Sequence, residues 1–420
     1  MSRYLVEGGN RLSGEIVVQG AKNSALPILA ASLLPETESE IHNCPKLSDV
    51  AAAIKILDYL GCETQMVQNR VKVRTDTINR HDIPDNLMRE MRSSIVFLGA
   101  ILTKCSKARL SFPGGCELGP RPIDLHLSGL RQLGAVIEED HGFLNCSIPN
   151  DRLKGANISL SFPSVGATEN IMIAATLAKG ETVINNCARE PEIVDLANYL
   201  NACGADIKGA GESVIIINGV DRLHGAKHSV ISDRIVAATY LCAAAITKGE
   251  ILLKDIDYRS VGSILPILEN AGCYIKKDHS SIYLRYDKRL GGFNTIRTMP
   301  YPGFPTDAQS PLMALSCVSD GMTMFVENIF ENRFKHVSEL LRFGANIKVE
   351  GRVAVVEGCE KLTSAKAYCT DLRGGAALIV SALCAEGGSE ICDIHHIERG
   401  YEDIAGNLSA LGAHITKVTA

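Results

Sequence analysis

Long apolar runs are missing from this sequence. No stretch of 18 or more consecutive apolar residues occurs in its 420 residues, so no transmembrane helix is expected. Its first residues, MSRYLVEGGN, lack the apolar core of a signal peptide, and we expect a cytoplasmic protein. Excess positive charge is missing as well, because 43 Lys and Arg residues against 48 Asp and Glu residues give a net charge of −5. This balance argues against a general nucleic-acid or membrane-surface binder, so anions must be bound by local clusters of Arg and Lys.

Common metal and nucleotide motifs are absent too. The sequence has no HExxH, no GxxxxGKS/T and no GxGxxG, which argues against a zinc protease, a P-loop NTPase and a dinucleotide-binding fold. Its 14 cysteines include no CxxC pair, and many lie in apolar runs such as Leu241-Cys242-Ala243. This pattern favours reduced cysteines used as small hydrophobic residues over disulfides or structural zinc, and no metal is expected.

A sixfold repeat organises the chain. An amphipathic helix that ends in a glycine turn and leads into a short strand recurs at intervals of 68 to 73 residues. Glycine is the expected residue just after a helix end. A second helix, apolar nearly all round and therefore buried, also occurs once per repeat. The pattern predicts an α/β fold in which each repeat hides its sheet by packing against copies of itself. The turn glycines are Gly61, Gly134, Gly204, Gly272, Gly344 and Gly412.

The chain length predicts two or three domains, and the repeats suggest where they divide. The sixth repeat stops just after HITKV and lacks its final strand, whereas residues 3–19 carry a spare strand–turn–strand pattern. The simplest closure gives one domain of residues 21–231 and a second domain of residues 1–20 plus 232–420. Two adjacent chain crossings make a hinge, which implies a cleft that opens and closes.

Polar segments precede all six buried helices. N-capping explains the Ser, Thr and Asp residues in these segments. It does not explain Lys22, Arg92 or Arg373, because cations oppose the helix dipole at an N-terminus. A bound anion, held by the side chain together with free backbone N–H groups, is the alternative.

A loop rich in glycine and proline, PGGCELGPRPIDLH, follows the strand that ends near Phe112. Such loops are commonly lids or binding loops. Cys116 is the one cysteine outside an apolar or strand-like setting, and nearby Arg121 would favour its thiolate, although a bystander thiol is the alternative. Arg333 and Arg399 each follow a strand in the C-terminal half, where they serve either a ligand or a surface salt bridge.

Eight segments together carry a family resemblance. The segments AKNSALP, PGGCxxGxRPIDLH, SVGATEN, AREPEIVD, FPTD, FENRF, TDLRGG and ERGYE closely resemble the UDP-N-acetylglucosamine 1-carboxyvinyltransferase family, within the EPSP synthase superfamily. The resemblance runs from about Tyr4 to Val418. It implies a two-domain inside-out α/β barrel of six βαβαββ repeats, three per domain, with the active site in the cleft between them.

The resemblance also implies an activity. Enzymes of this family transfer the enolpyruvyl group of phosphoenolpyruvate to the 3'-hydroxyl of UDP-N-acetylglucosamine by addition–elimination, which is the first committed step of peptidoglycan synthesis. It implies no cofactor, sensitivity to fosfomycin, and small-molecule substrates as the partners. A monomer or a weak homo-oligomer is expected, with no nucleic-acid or membrane partner.

The roles of single residues follow from the same resemblance. Cys116 would donate a proton to C3 of phosphoenolpyruvate, and Asp307 would take the proton of the attacking hydroxyl or assist elimination. Lys22, Arg121 and Arg399 would hold the phosphate, and Arg333 and Arg373 would complete the positive site. The expected sugar-nucleotide contacts are Asn23, Arg92, Arg121, Pro122, Ile123, Asp124, Leu125, Ser164, Val165, Asp307 and Ile329. Phe162 departs from the pattern, since some relatives place a Lys there against the nucleotide.

Two alternative functions remain open. Transfer to shikimate 3-phosphate, by a 3-phosphoshikimate 1-carboxyvinyltransferase, would keep the fold and most of the cations, but that family lacks the cysteine loop. A catalytically silent paralogue would keep sugar-nucleotide binding and lose Cys116, Asp307 or the phosphate cations. All of these residues are present.

Overall fold

The computed structural model describes residues 2–91, 93–112, 123–149 and 152–419. Within these ranges, no helix has the length and apolar character needed to cross a membrane. The strands of the first three repeats and of the N-terminal segment are β1 (Arg3–Glu7), β2 (Ser13–Val17), β3 (Ser39–His42), β4 (Glu63–Val67), β5 (Arg70–Arg74), β6 (Asp82–Ile83), β7 (Lys107–Ser111), β8 (Val136–Asp140), β9 (Phe143–Ser147), β10 (Asn157–Ser159), β11 (Glu181–Asn185), β12 (Asp206–Lys208), β13 (Val214–Asn218) and β14 (Lys227–Ser229).

Ten further strands lie in the second half of the chain, and helices occur in both halves. The later strands are β15 (Glu250–Lys254), β16 (Tyr274–Asp278), β17 (Ser281–Arg285), β18 (Asn294–Arg297), β19 (Met322–Val326), β20 (Asn346–Glu350), β21 (Val353–Glu357), β22 (Lys366–Tyr368), β23 (Gly388–Cys392) and β24 (His414–Val418). The α-helices are α1 (Lys22–Ala31), α2 (Ser48–Leu60), α3 (Asp85–Glu90), α4 (Phe97–Cys105), α5 (Asp124–Gln132), α6 (Val165–Ala175), α7 (Pro191–Ala202), α8 (Arg234–Ile246), α9 (Leu265–Asn270), α10 (Thr306–Ser316), α11 (Val337–Arg342), α12 (Leu372–Cys384) and α13 (Ile404–Ala410). Short 3₁₀ helices lie at Ser94–Val96, Tyr258–Val261, Arg333–His336 and Ile394–Arg399.

The sheets repeat one pattern. The described part of the chain contains six four-stranded sheets, ordered β14-β3-β5-β4, β6-β7-β9-β8, β10-β11-β13-β12, β2-β15-β17-β16, β18-β19-β21-β20 and β22-β23-β1-β24. In each sheet the first pair is parallel and the other two pairs are antiparallel. The sixfold repeat predicted from the glycine spacing is therefore confirmed as a βαβαββ unit.

The chain forms two compact units. The first unit contains the described residues between 20 and 231, and the second contains residues 2–19 and 232–419. Helices α1, α4 and α6 pack against one another inside the first unit, and α8, α10 and α12 do so inside the second. Each unit thus places its apolar helices inside its own ring of sheets and has its own hydrophobic core, as an inside-out barrel does.

The N-terminal strands serve two different sheets of the second unit. Strand β1 lies between β23 and β24 and is antiparallel to both, so it supplies the strand that the sixth repeat lacks. Strand β2 pairs in parallel with β15 and opens the fourth repeat. The predicted pairing of residues 3–19 with the C-terminal half is confirmed, whereas the division of this segment between two sheets goes beyond what the sequence pattern predicts.

The polar segments lie at the N-terminal ends of the buried helices, as the repeat pattern predicts. Five inner helices begin at one of these segments, whereas α4 begins after the 3₁₀ helix Ser94–Val96. Side chains such as Lys22 and Asp307 therefore lie in a first helical turn. The turn glycines after the outer helices α2, α5, α7, α9, α11 and α13 all have positive φ, between 81° and 106°. This left-handed conformation explains why glycine recurs there.

Candidate active site

Four of the expected site residues lie outside the described residues: Arg92, Cys116, Arg121 and Pro122. Their roles stay predictions. The other expected residues are divided between the two units.

In the second unit, two arginines converge on Asp307. Asp307 is the second residue of α10, and its Oδ1 lies 3.0 Å from Arg333 Nη2. Its Oδ2 lies 3.1 Å from Arg373 Nη2. Both arginine side chains are almost fully buried, whereas that of Asp307 is 29% exposed. The alternative of a surface salt bridge is therefore wrong for Arg333, which belongs to a buried charged cluster.

Arg373 is held by the start of α12. Asp371 is the N-cap residue, and its Oδ1 accepts hydrogen bonds from the backbone N–H groups of Arg373 and Gly374, both at 3.0 Å. Burial opposes the charge of Arg373, but Asp307 and nearby groups outweigh it and hold the pKa of Arg373 above its ordinary value. Its Nη1 is buried and has no hydrogen-bond partner among the described residues. A buried unpaired donor of this kind suits an incoming anionic oxygen.

Asp371 and His336 are two buried ionisable residues near Arg333. Burial raises the pKa of Asp371, but the charge of Arg333 and the hydrogen bonds from the Gly374 N–H and the Thr370 hydroxyl outweigh it, so the pKa lies below its ordinary value. His336 is fully buried, and burial lowers its pKa to about 4, so the imidazole is neutral at physiological pH. Asp371 thus remains ionised, and it supports both the helix start and the guanidinium of Arg333.

Arg399 and Ile329 lie in turns of the second unit. Arg399 ends the 3₁₀ helix Ile394–Arg399 and is half-buried. The amide of Gln19 holds the following turn, because its Nε2 donates to the Gly400 carbonyl and its Oε1 accepts from the Glu402 N–H. Ile329 follows β19 and donates its N–H to Glu327 at 2.8 Å.

In the first unit, Lys22 has a carboxylate partner. Lys22 is the first residue of α1, and its Nζ lies 3.2 Å from Oδ2 of Asp49, in the first turn of α2. Asp49 is buried, and Lys22 is half-buried. The cation that the sequence left unexplained at this helix start therefore has an internal anion, which a substrate anion would have to join or replace. Asn23 follows it in the same turn and is also half-buried.

The other expected sugar-nucleotide contacts lie at two helix starts. Ser164 precedes α6 and Val165 begins it, and both are half-buried. Ile123, which is buried, precedes α5, where Asp124 is exposed and Leu125 is half-buried. Phe162 is 43% exposed.

N-capping explains only some of the polar helix starts. Asp233 and Asp371 accept backbone N–H groups as N-caps of α8 and α12. No side-chain capping bond is made by Ser164 within the described ranges, and the Thr306 hydroxyl donates instead to Glu327. Sequence reasoning missed Asp49 and Glu327 as supports of the site. The signal for Glu327 was a single acid directly after the apolar strand MTMFV.

Comparison with known proteins identifies the class of protein to which this six-repeat fold belongs. The family model described as EPSP synthase (3-phosphoshikimate 1-carboxyvinyltransferase) matches residues 6–408. The crystal structure of the enolpyruvyl transferase NikO from Streptomyces tendae is similar, with a TM-score of 0.90 and 24% identity, covering 100% of this chain and 99% of that chain. An EPSP synthase structure from Acinetobacter baumannii has a TM-score of 0.79 at 17% identity and covers both chains completely. The fold is that of the enolpyruvyl transferases.

Curated relatives narrow the family. A UDP-N-acetylglucosamine 1-carboxyvinyltransferase 2 of Caldanaerobacter subterraneus is 49% identical over 418 residues and covers 100% of both chains. A UDP-N-acetylglucosamine 1-carboxyvinyltransferase 1 of Symbiobacterium thermophilum is 50% identical over 421 residues, covering 99% of this chain and 95% of its own. The chain belongs to the UDP-N-acetylglucosamine 1-carboxyvinyltransferase family, and it is an enzyme of the transferase class.

Proposed function

We propose that this enzyme transfers the enolpyruvyl group of phosphoenolpyruvate to the 3'-hydroxyl of UDP-N-acetylglucosamine and releases phosphate. The observation that supports this most is the Asp307 cluster, in which one partly exposed carboxylate lies between two buried guanidinium groups. Asp307 takes up one Nη2 of each guanidinium, and Nη1 of Arg373 is left without a hydrogen-bond partner among the described residues. Such a cluster suits a substrate carboxylate or phosphate beside a base.

The proposed chemistry has two balanced steps. The sugar hydroxyl adds to C2 of phosphoenolpyruvate, losing its proton to a base, while C3 gains a proton. Loss of a proton from C3 then forms the C2=C3 double bond, the C2–O bond to phosphate breaks, and phosphate leaves with that electron pair, which gives the enolpyruvyl ether. Asp307 is the proposed base for the hydroxyl or the assistant of the elimination. Arg333 and Arg373 would neutralise substrate charge in both steps.

The other residues are proposed by family resemblance. Cys116 would protonate C3, and Lys22, Arg121 and Arg399 would hold the phosphate. Lys22 Nζ lies 3.2 Å from Asp49 at the start of α1, and the phosphate would join or replace that carboxylate. The proposed sugar-nucleotide contacts are Asn23, Arg92, Arg121, Pro122, Ile123, Asp124, Leu125, Ser164, Val165, Asp307 and Ile329. We further propose that the enzyme acts in the cytoplasm, in the first committed step of peptidoglycan synthesis.

A phosphate-release assay tests the proposal. The enzyme is incubated with phosphoenolpyruvate and either UDP-N-acetylglucosamine or shikimate 3-phosphate. We expect release only with the sugar nucleotide, together with a product whose mass corresponds to the enolpyruvyl ether. Release only with shikimate 3-phosphate would assign the other enzyme of this fold. No release with either acceptor, but binding of the sugar nucleotide, would indicate a silent paralogue.

Cys116 allows a second, sharper test. An epoxide that carries a phosphonate, such as fosfomycin, should alkylate Cys116, because a cation-stabilised thiolate reacts faster than a buried thiol. Burial raises the pKa of other cysteines, for example that of Cys203 to about 11, which disfavours their thiolates. Cys116→Asp should stay active and resist the epoxide, since a carboxylic acid still donates a proton. Peptide mapping that finds the adduct mainly on another cysteine would contradict the assignment.

A further inference from the structure

Glu327 is a buried carboxylate for which the proposed chemistry has no use. It follows β19 directly and is 1% exposed. Burying a carboxylate is costly unless its oxygens accept hydrogen bonds. Both oxygens of Glu327 do so, and their donors come from three separate segments of the second unit.

The two oxygens hold different parts of the site. Oε1 accepts the hydroxyl of Thr298 at 2.9 Å and the backbone N–H groups of Ile329 at 2.8 Å and Phe330 at 3.0 Å. These bonds fix the turn after β19. Oε2 accepts the hydroxyl of Thr306 at 3.0 Å, which fixes the first residue of α10.

Thr306 and Phe330, which both donate hydrogen bonds to Glu327, also contact Arg333. The carbonyl of Thr306 accepts from Nε and Nη2 of Arg333, at 3.2 and 2.9 Å, and the same Nη2 contacts Asp307. On the other side, the guanidinium carbon lies 5.8 Å from the centre of the Phe330 ring. Glu327 therefore holds the neighbours of Arg333 on two sides.

We propose that Glu327 is a positioning residue that sets the geometry of the Asp307–Arg333 pair through Thr306 and Phe330. It acts without contacting the substrate, and its role in turnover rests on the function proposed above. Hydrogen bonds to an ionised acceptor are stronger and more directional than neutral ones. A misplacement of about 1 Å at a reacting group can cost on the order of 100-fold in rate, so a rigid support beneath the pair matters for turnover.

Substitution of Thr306 tests the link to α10. Thr306→Val keeps the shape and removes the hydroxyl, whereas Thr306→Ser keeps the hydroxyl. We expect kcat to fall about tenfold in the valine variant and to stay within about twofold in the serine variant. The KM for UDP-N-acetylglucosamine should change less than kcat, because the support acts on the reacting groups.

Substitution of Glu327 tests the carboxylate itself, with Glu339 as a matched control. Glu339 is also buried, but its carboxylate accepts the N–H of Tyr368 at 2.9 Å and pairs with Arg342 at 3.0 Å. We expect Glu327→Gln to lower kcat about tenfold, since a neutral amide is a weaker acceptor and must reverse one bond. Glu339→Gln should keep kcat within about twofold, even if it lowers the melting temperature equally.

A readout without turnover separates this proposal from the proposed function. In arginine-labelled protein, the Nε–H resonance of Arg333 reports its bond to the Thr306 carbonyl. Thr306→Val and Glu327→Gln should shift or broaden it, while Thr306→Ser and Glu339→Gln should not. An inactive wild type would reject the proposed function, and this signal would still decide the role of Glu327. Unchanged resonances in both test variants, or a kcat in Glu327→Gln as high as in Glu339→Gln, would overturn the proposal.

Discussion

At Asp307, a single carboxylate bridges two buried arginines, so a substitution there changes the surroundings of both cations. Asp307→Asn would leave Arg333 and Arg373 with a neutral partner in a place with little water. We expect a loss of about 2 kcal/mol in the free energy of unfolding, less than for a fully buried pair because Asp307 is partly exposed. If Asp307 is the base, kcat should also fall on the order of 100-fold or more.

The control for this substitution is an exposed ion pair. Asp287→Asn removes one of two exposed carboxylate partners of Arg285, which lies 3.8 Å from Asp287 and 4.0 Å from Glu250. Such pairs contribute about 0–1 kcal/mol, so neither stability nor kcat should change much. Urea unfolding and steady-state kinetics on both variants measure the contrast. Full activity of Asp307→Asn would exclude this residue as the base.

Glu169 is expected to make the stability of the protein depend on pH. Burial, and then the nearby carboxylates of Glu192 and Glu190, raise the pKa of Glu169 to about 8. A raised folded-state pKa means that the folded state holds the proton more tightly than the unfolded state. This contribution to stability is full below pH 4.5 and is lost as the pH rises towards 8. We expect Glu169→Gln to flatten the decline of the free energy of unfolding between about pH 5 and 8, measured in urea. An unchanged pH profile in this variant would contradict the raised pKa.

At this scale the sequence predicts the identity of site residues better than their partners. Asp307, Arg333 and Arg373 could be selected because charges beside apolar helices and strands are unusual, and because their motifs resemble a known family. That both arginines share one carboxylate could not be predicted, since they are 26 and 66 residues away from it. The same holds for Lys22 and Asp49, whose contact depends on the packing of α1 against α2.

Helix ends show what repeat periodicity can predict. The period of the glycines locates all six outer helix ends from the sequence alone, because a left-handed residue after a helix strongly favours glycine. It does not indicate which of these glycines also lacks space for a side chain. At Gly61, with φ of 99°, an added Cβ would lie 2.6 Å from the Thr77 carbonyl oxygen. At Gly134, with φ of 94°, no atom of the described residues lies within 4 Å of an added Cβ.

Alanine substitutions at Gly61 and Gly134 can therefore distinguish the cost of backbone strain from the cost of a steric clash. Gly134→Ala should lose about 1 kcal/mol in the free energy of unfolding, the cost of a left-handed alanine alone. Gly61→Ala should lose at least about 1 kcal/mol more, because the Thr77 carbonyl must move. Urea unfolding of the two variants measures both costs. Equal losses would show that the loop around Thr77 yields freely.

For the whole molecule, the sheet pairings assign the chain to two units with separate cores. In the first unit the ring closes on itself, because β14 pairs with β3 and the N–H of Ala21 donates to the Ile231 carbonyl at 2.7 Å. In the second unit, as far as the structure describes the chain, the ring closes only through the N-terminal strands. The missing strand of the sixth repeat made this pairing predictable. The splitting of β1 from β2 was not, because a strand–turn–strand pattern in sequence equally suits a hairpin.

This topology predicts how the chain can be divided. A fragment of residues 20–231 should fold alone, since its core and all its sheet partners are contiguous in sequence. A fragment of residues 232–420 should not fold cooperatively, because without β1 the strand β24 has no partner in its sheet. A peptide of residues 1–19, added to this fragment, should restore cooperative thermal unfolding followed by circular dichroism. Within that peptide, Val6→Asp should fail, because Val6 is buried, whereas Leu5→Ser should still restore folding, because Leu5 is 42% exposed. Cooperative unfolding of residues 232–420 without any peptide would show that the N-terminal strands are dispensable and that the sheets of the second unit can close in another way.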